Sequence, residues 1–217
     1  IEVRNRLEDG RIAVVPFKGF WLAERFYGNL ADREASDIDV FVNYSDLGKI
    51  MKLMPGTVYL IGEPFINQPD PGGCEFNYGK YIGGRCVSHL EFHWRMAPAR
   101  FGLDISLDDL KGSIESSSVQ GHGLRVFNPS ASLLLTVMHH GGKDSFRLLK
   151  QVYDVAMIIR SGRVIDFAWL EQKAREFHCR RLLLISLTLA AHVTGVNVPD
   201  AFVHDAGSRT ITRLAHN

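Results

Sequence analysis

Two aspartates one residue apart stand in a stretch with the composition of a β-strand, residues 37–42. Because alternate side chains of a strand point to the same face, Asp37 and Asp39 project together, with Cα atoms about 6.6 Å apart, and Ile38 points the other way. Two carboxylates so placed repel each other unless a cation lies between them, and Mg²⁺ prefers oxygen ligands of this kind. The pattern predicts a divalent-cation site; the alternative is the solvent side of an edge strand.

A third carboxylate is available from a second predicted strand. The alternation in residues 89–94 places His89, Glu91 and His93 on one face and apolar side chains on the other. Glu91 could therefore join the two aspartates, although an amphipathic strand with a polar outer face would show the same pattern. Glu91 and His93 could also begin a Zn or Mn site, but such sites need three or four converging ligands. The sequence assigns no third, so His93 is not predicted to bind a metal.

A glycine turn precedes these strands and could hold a phosphate. Lys18 and Gly19 lead from an apolar run into a predicted helix, where free backbone N–H groups and the helix dipole favour an anion. We expect Lys18 to be exposed at this turn and to contact the phosphates of a nucleotide. Arg33, in the loop before Asp37, is either a second phosphate contact or a solvated loop arginine.

The first 96 residues mix short strands with short helices. The predicted elements are a strand over 12–17, a helix over 20–27, a strand over 37–42, a helix over 45–54, a strand over 57–61, loops around a hairpin over 62–84, and a strand over 87–96.

From about residue 128 the pattern is helical. Asn128 and Pro129 form an N-cap and first-turn pair, and the helix that they begin is expected to stop at Gly141-Gly142. Three further helices are predicted over 144–159, 167–177 and 181–194, the first capped by Asp144, the second by Asp166, and the third ended by Gly195.

The composition is that of a globular chain without a strong charge bias. Of 217 residues, 46% are hydrophobic and 23% are charged, and the formal net charge is +1, which gives no strong signal for nucleic-acid binding. The longest apolar runs fall short of the roughly 20 residues that cross a bilayer. The three widely spaced cysteines fit neither a metal knuckle nor a disulfide framework. We expect a cytoplasmic protein without membrane association.

Three groups of residues together resemble the motifs of a family of bacterial uncharacterised nucleotidyltransferases, within the DNA polymerase beta-like superfamily. The first group is Lys18-Gly19, then Phe26-Tyr27-Gly28, then Arg33 and Ser36 to Val42. The second is residues 90–94, where the family usually has Asp at the position of Glu91. The third is the set His140, Lys143, Lys150 and Asp154. The resemblance spans roughly residues 11–160.

This resemblance implies an α+β fold, in which a polymerase beta-type nucleotidyltransferase mixed sheet with helices is followed by a C-terminal helical bundle. Together with the change of pattern along the chain, it predicts a nucleotidyltransferase-like catalytic domain over residues 1–96, a connecting segment over 97–127, and a helical domain over 128–217 that we expect to be truncated. The run Ser116–Ser118 indicates a mobile connection between the two halves.

The resemblance also implies roles for individual residues. Asp37, Asp39 and Glu91 would bind Mg²⁺ or Mn²⁺ and carry the catalysis, with a nucleoside triphosphate as substrate. The nucleotide would be bound by Lys18, Gly19, Arg33, Ser36, His140 and Lys143. Of the adjacent residues His139 and His140, which diverge by about 100° on a helix, only His140 is expected to face the cleft, and a shared metal is not expected.

Two positions depart from the pattern of related proteins. Phe20 follows Gly19 where a serine often contacts the phosphates, so Lys18 would replace that contact as a point charge. Asp144 stands where a second histidine often follows His140.

Three functions are compatible with these residues. The first is an enzyme that transfers a nucleoside monophosphate to a small molecule or a protein side chain. The second is a non-catalytic module that senses a nucleotide or binds a partner on the same fold. The third is a toxin–antitoxin component, for which the balanced charge gives no support. Three acidic side chains on one face have little structural use, so the sequence favours the enzyme.

Overall fold

The computed structural model describes residues 2–35, 37–61, 70–119 and 121–203. A five-stranded mixed sheet has the strand order β1-β2-β5-β4-β3, in which β2 and β5 are parallel and the other neighbours are antiparallel. Its strands are β1 (Val15–Pro16), β2 (Asp37–Phe41), β3 (Leu60–Ile61), β4 (Glu75–Ile82) and β5 (Arg85–His93). The helices of this half are α1 (Glu2–Asp9), α2 (Phe20–Leu22), which continues as the π-helix Ala23–Tyr27, and α3 (Leu47–Leu53).

Strand β4 corrects the prediction for residues 62–84, which the sequence indicated as loops around a hairpin. Phe76 and Tyr78 alternate with polar residues and pack against Phe92 of β5, with ring centroids 5.2 and 6.0 Å apart. Gly79, and the glycines and prolines before the strand, hide this alternation in the sequence. The predicted strand over residues 12–17 is also shorter, because only Val15–Pro16 pair with β2.

The segment between the halves is ordered by a hairpin. A 3₁₀-helix (Asp108–Ser113) leads into β6 (Ile114–Val119), which pairs antiparallel with β7 (His122–Phe127). The serines at 116–118, which indicated a mobile connection, lie within β6. Their hydroxyls alternate across the strand, so the polar run is compatible with a hairpin.

The helical half consists of α4 (Pro129–Val137), α5 (Leu149–Arg160), α6 (Phe167–Glu176), α7 (Arg180–Thr194) and α8 (Asp200–Val203). Three predicted end signals are confirmed. The side chains of Asn128 and Asp166 accept hydrogen bonds from the first turns of α4 and α6, and Gly195 ends α7 at φ 67°.

Two predicted helix boundaries are wrong. Helix α4 does not stop at Gly141-Gly142 but continues as the π-helix Met138–Lys143, where a Cβ on Gly142 would lie 2.4 Å from Leu103 Cδ1. Asp144 does not cap the next helix, which begins at Leu149. Its carboxylate instead accepts a hydrogen bond from the Gln151 side chain, 2.9 Å away.

The apolar residues form two cores on opposite faces of the sheet. One core lies between the sheet and α1 and α3, and includes Leu7, Val40, Ile50 and Phe92. The other joins both halves of the chain: Phe17, Leu22 and Phe41 pack in one cluster with Leu133, Leu134, Val155 and Leu187. Among the described residues, no helix combines the length and the apolar character needed to cross a membrane.

Candidate active site

The three predicted metal-binding carboxylates lie on the two parallel strands at the centre of the sheet. Asp39 of β2 is in register with Glu91 of β5, and Asp37 is in register with His89. All three carboxylate residues line one cleft of about 260 Å³ between the sheet and the helical half. The other residues that line it are Lys18, Arg33, Glu34, Ala35, His139, His140, Lys143, Asp144, Leu148, Lys150 and Gln151. The structure therefore brings the acidic strands together with the basic helical motif.

Asp39 is a buried anion with two cationic partners. Its side chain is 1% exposed, and its Oδ1 atom lies 2.8 Å from Lys18 Nζ and 3.0 Å from His93 Nε2. Burial alone would raise the pKa of the Asp39 carboxyl, but the hydrogen bond with His93 and the charge of Lys18 hold that pKa well below its usual range. Asp39 is therefore ionised.

Lys18 corrects one expectation, because it is buried rather than exposed at its turn. Only 7% of the residue is accessible, and its ammonium group donates to His139 Nε2 at 3.1 Å as well as to Asp39. The glycine turn directs Lys18 inward. Gly19 has φ 59°, and a Cβ at that position would lie 2.8 Å from the backbone oxygen of Asp37, so a side chain cannot be accommodated there.

The surroundings of Asp37 differ from those of Asp39. No side chain among the described residues donates a hydrogen bond to its carboxylate, and its pKa is raised by burial and then by the charge of Asp39, against the opposing effect of Lys18. Oδ2 of Asp39 is likewise free of hydrogen bonds from the described residues, because Lys18 and His93 both contact Oδ1. Carboxylate oxygens without hydrogen bonds are ligands that a hard divalent cation prefers, and Asp39 and Glu91 bring ligand atoms within 4.8 Å of each other, so the cleft fits such a cation.

His93 belongs to the site although sequence reasoning did not assign it. The fully buried ring places Nε2 at 3.2 Å from Glu91 Oε2 as well as near Asp39, and Nδ1 at 3.1 Å from Glu75 Oε2. Burial opposes its charge, yet the hydrogen bonds with Asp39 and Glu91 raise the pKa of His93 above its ordinary value. Through these contacts His93 braces strands β2, β4 and β5 against one another.

Glu75 is a second residue that the sequence did not reveal, because it begins a strand within the region predicted as loops around a hairpin. Both of its oxygens lie 2.5 Å from Lys143 Nζ. Burial opposes ionisation of both groups, but their attraction raises the pKa of Lys143, while His93 and Lys143 together lower the pKa of Glu75. Lys143, predicted to bind nucleotide, thus reaches the cleft while paired with β4.

Arg33 and His140, also predicted to bind nucleotide, line the cleft and share one buried partner. The Arg33 guanidinium donates to Asp154 Oδ1 and Oδ2 at 2.7 and 2.8 Å, and His140 Nε2 lies 2.9 Å from Oδ2. Arg33 is thus not a solvated loop residue. Ser36, the remaining predicted nucleotide contact, lies outside the described residues.

Both adjacent histidines face the cleft, although only one was expected to. They lie in the π-helix, and the Nδ1 atoms of His139 and His140 are each 3.3 Å from Asp144 Oδ2. Since Lys18 can only donate, His139 Nε2 accepts its hydrogen bond, and burial followed by the charge of Lys18 lowers the pKa of His139 well below its ordinary value. In this arrangement the neutral ring carries its proton on Nδ1, which faces Asp144.

Known structures share this arrangement of sheet and helices. Two structures of the antibiotic-resistance factor ANT(2'')-Ia align with the chain. The solution structure has 14% identity and a TM-score of 0.53, and the alignment covers 84% of this chain and 91% of that one. The crystal structure with adenylyl-2''-tobramycin has 13% identity and a TM-score of 0.52, and the alignment covers 82% of this chain and 94% of that one. An antigenic nucleotidyltransferase-like protein from Paracoccidioides brasiliensis has 12% identity and a TM-score of 0.50 and covers 94% of both chains. At these identities the likeness establishes the polymerase beta-type fold.

Sequence comparison gives a sharper result. A search among proteins of curated function found no match. The pattern of a protein family described as uncharacterised nucleotidyltransferase, however, matches residues 1–195, which include the cleft and most of both halves. The chain therefore belongs to this uncharacterised nucleotidyltransferase family.

Proposed function

We propose that this protein is a metal-dependent nucleotidyltransferase that transfers a nucleoside monophosphate from a nucleoside triphosphate to a hydroxyl acceptor and releases pyrophosphate. One observation carries the proposal: Asp37, Asp39 and Glu91 stand on neighbouring parallel strands and line the same cleft. The family and the fold support a transferase, and the carboxylates supply the chemistry that such a transfer requires.

The charges of the cleft match a cation–triphosphate complex. Its sheet side carries the three carboxylates, and its helical side carries Lys143 and Lys150. Lys150 has no ion-pair partner among the described residues and is exposed, so it is free to meet an incoming phosphate. Lys143 is paired with Glu75 and would exchange that partner for a phosphate oxygen. The two ammonium groups would stabilise the negative charge of the triphosphate in the ground state and during transfer.

The reaction requires three events at the α-phosphorus. The acceptor oxygen forms a bond to phosphorus, the bond to the bridging oxygen breaks, and pyrophosphate leaves with the electron pair. When bound, a divalent cation would neutralise phosphate charge and lower the pKa of the acceptor hydroxyl. Asp37, Asp39 and Glu91 would hold it. Glu91 would receive the acceptor proton, and His93 keeps its Oε2 atom oriented through the hydrogen bond of 3.2 Å.

The acceptor is proposed to be a small molecule or a protein side chain that bears a hydroxyl group. The crystal structure with adenylyl-2''-tobramycin shows that this fold can hold an adenylylated small molecule. The cleft here holds about 260 Å³, which suits part of a nucleotide and leaves the acceptor to approach from its open side.

The test is a screen of the four nucleoside triphosphates, labelled at the α-phosphorus, with Mg²⁺ or Mn²⁺. Thermal unfolding measures binding, because a ligand at 100 times its Kd adds about 2.7 kcal/mol to the stability of the folded state. Release of pyrophosphate and labelling of the protein or of added hydroxyl compounds measure transfer.

The matched control is Asp37→Asn, which removes one carboxylate that lacks a side-chain partner. We expect stabilisation by at least one metal–nucleotide pair in the wild type and none in this variant. Binding that leads to no pyrophosphate release with any acceptor would favour the non-catalytic module. Absence of stabilisation by all pairs would contradict the proposal.

A further inference from the structure

Asp154 is a buried carboxylate whose hydrogen-bonding capacity is fully used. The residue is 0% exposed, and Tyr27 Oη and Arg33 Nε donate to its Oδ1 atom, each at 2.7 Å. Its Oδ2 atom receives Arg33 Nη2 at 2.8 Å and His140 Nε2 at 2.9 Å. Burial opposes the charge, but the hydrogen bonds with Arg33 and His140 lower the pKa of Asp154 below its ordinary value. An ionised group this deeply buried is costly unless such partners compensate it.

The partners of Asp154 come from both halves of the molecule. Tyr27 ends the π-helix after α2, and Arg33 lies in the loop that enters β2. His140 lies in the other π-helix and Asp154 in the middle of α5. The cluster therefore fixes the distance between the loop before the acidic strand and the helical wall of the cleft.

Asp154 itself does not line the cleft, whereas Arg33 and His140 do. The two-point contact fixes the plane of the Arg33 guanidinium, whose remaining Nη1 atom donates to the backbone oxygen of Gly19 at 3.1 Å. The contact with His140 Nε2 turns the other edge of that ring towards Asp144 at the cleft wall. The carboxylate thus sets the direction of two side chains that a bound phosphate would meet.

We propose that Asp154 is a positioning residue for the triphosphate, acting through Arg33 and His140 without touching the nucleotide. The inference rests on the proposed function, because it assumes that a nucleotide occupies the cleft. It adds that phosphate affinity depends on the geometry imposed by Asp154 as well as on the charges of Arg33 and His140. A residue that only stabilised the fold would leave that affinity unchanged in the folded protein.

The experiment compares Asp154→Asn with Val155→Ala. The asparagine variant keeps the shape of the side chain but replaces one carboxylate oxygen with an NH₂ group, which donates hydrogen bonds. Arg33 and His140, which are also donors, therefore lose the acceptor that they share. Val155, the next residue of α5, is fully buried and does not line the cleft, so its truncation destabilises the same helix without touching Arg33 or His140. The probes are Mg²⁺ with inorganic triphosphate and Mg²⁺ with each of the four nucleoside triphosphates.

We expect Asp154→Asn to weaken binding of the probes roughly tenfold or more, as loss of an outer layer of hydrogen bonds does at other sites. Val155→Ala should bind like the wild type below its unfolding temperature. The dependence on Arg33 is tested by a double-mutant cycle. Asp154→Asn should cost less affinity in an Arg33→Met background than in the wild type, because the group that Asp154 positions is already gone.

Each outcome separates the inference from the proposed function. Equal probe affinity in Asp154→Asn and wild type, or an equal loss in Val155→Ala, overturns the inference and leaves the proposed function intact. A wild type that binds no probe overturns the proposed function and the inference with it. If Asp154→Asn does not fold, Asp154→Glu keeps the charge and displaces the carboxylate by one methylene. Unaltered affinity in that variant would also overturn the positioning role.

Discussion

Two aspartates of one strand, alike in the sequence, have opposite surroundings in the structure. Asp39 compensates Lys18 and His93 inside the protein, whereas Asp37 has no side-chain partner among the described residues and a raised pKa. Sequence reasoning treats the pair as equivalent metal ligands that cost stability. At the residue scale, both carboxylates offer an oxygen to a cation, but only Asp37 is expected to cost stability.

This difference predicts unequal effects of two matched substitutions in EDTA. Asp37→Asn should leave the thermal midpoint unchanged or higher, because it removes repulsion from Asp39. Asp39→Asn should lose about 3 kcal/mol or more, because it leaves the buried Lys18 ammonium group without its anion and removes one of the acceptors of His93. Thermal unfolding with EDTA measures both. An Asp39→Asn protein as stable as Asp37→Asn would show that the Lys18 and His93 contacts carry little of the stability.

Residue types and spacing predicted the three carboxylates because period-2 alternation on a rigid strand leaves little freedom in where they point. The same reasoning placed Lys18 wrongly, since the direction of a turn depends on a backbone conformation that the sequence only hints at through Gly19. It also gave no role to Glu75, and it considered His93 only as a metal ligand and set it aside. Their importance arises from contacts with residues distant in the chain, Lys143 for Glu75 and Asp39 for His93, and a single sequence carries no record of those contacts.

At the scale of elements, the π-helix Met138–Lys143 determines what faces the cleft. It follows α4 without a break and presents His139, His140 and Lys143 to the cleft together. The glycines here allow close packing and do not end the helix. A Cβ on Gly141 would lie 3.0 Å from Leu182, which adds to the tight contact between Gly142 and Leu103.

Gly142→Ala should therefore destabilise the protein by about 1–3 kcal/mol through overpacking. The control is Gly48→Ala, at an exposed position of helix α3, where an added Cβ meets nothing within 4 Å and stability should rise by up to about 1 kcal/mol. Urea unfolding measures both changes. In a Leu103→Ala background, Gly142→Ala should cost less, and an undiminished cost would show that the clash with Leu103 is not its cause.

At the scale of the whole molecule, the two halves predicted from the sequence share a core. Phe17 and Phe41 from the sheet half are packed in the same cluster as Leu134 and Val155 from the helical half. The change from a mixed to a helical pattern near residue 128 correctly indicates where the helical half begins. Such a pattern is a local property of the sequence, however, whereas a shared core depends on the tertiary arrangement. The division into domains at residues 96 and 128 thus remains a prediction from the sequence, which an unfolding experiment can test.

We expect a single unfolding transition. Circular dichroism and tryptophan fluorescence should give the same urea midpoint, because Trp21 and Trp94 lie in the sheet half and Trp169 in the helical half. A fragment of residues 1–127 should not fold cooperatively, since it exposes the face that includes Phe17 and Phe41. Two separated transitions, or a fragment with a cooperative transition of its own, would show that the halves are independent domains.

The Asp154 cluster also has a consequence for the order of events during synthesis. Tyr27 and Arg33 precede Asp154 by 127 and 121 residues, so a ribosome adding about 5–20 residues per second makes Arg33 roughly 6 to 24 seconds before its partner. Until α5 emerges, Arg33 lacks the carboxylate that anchors its guanidinium group. The cleft beside the acidic strands also lacks its helical wall. The nascent chain would thus complete its cleft only after α5 has left the ribosome.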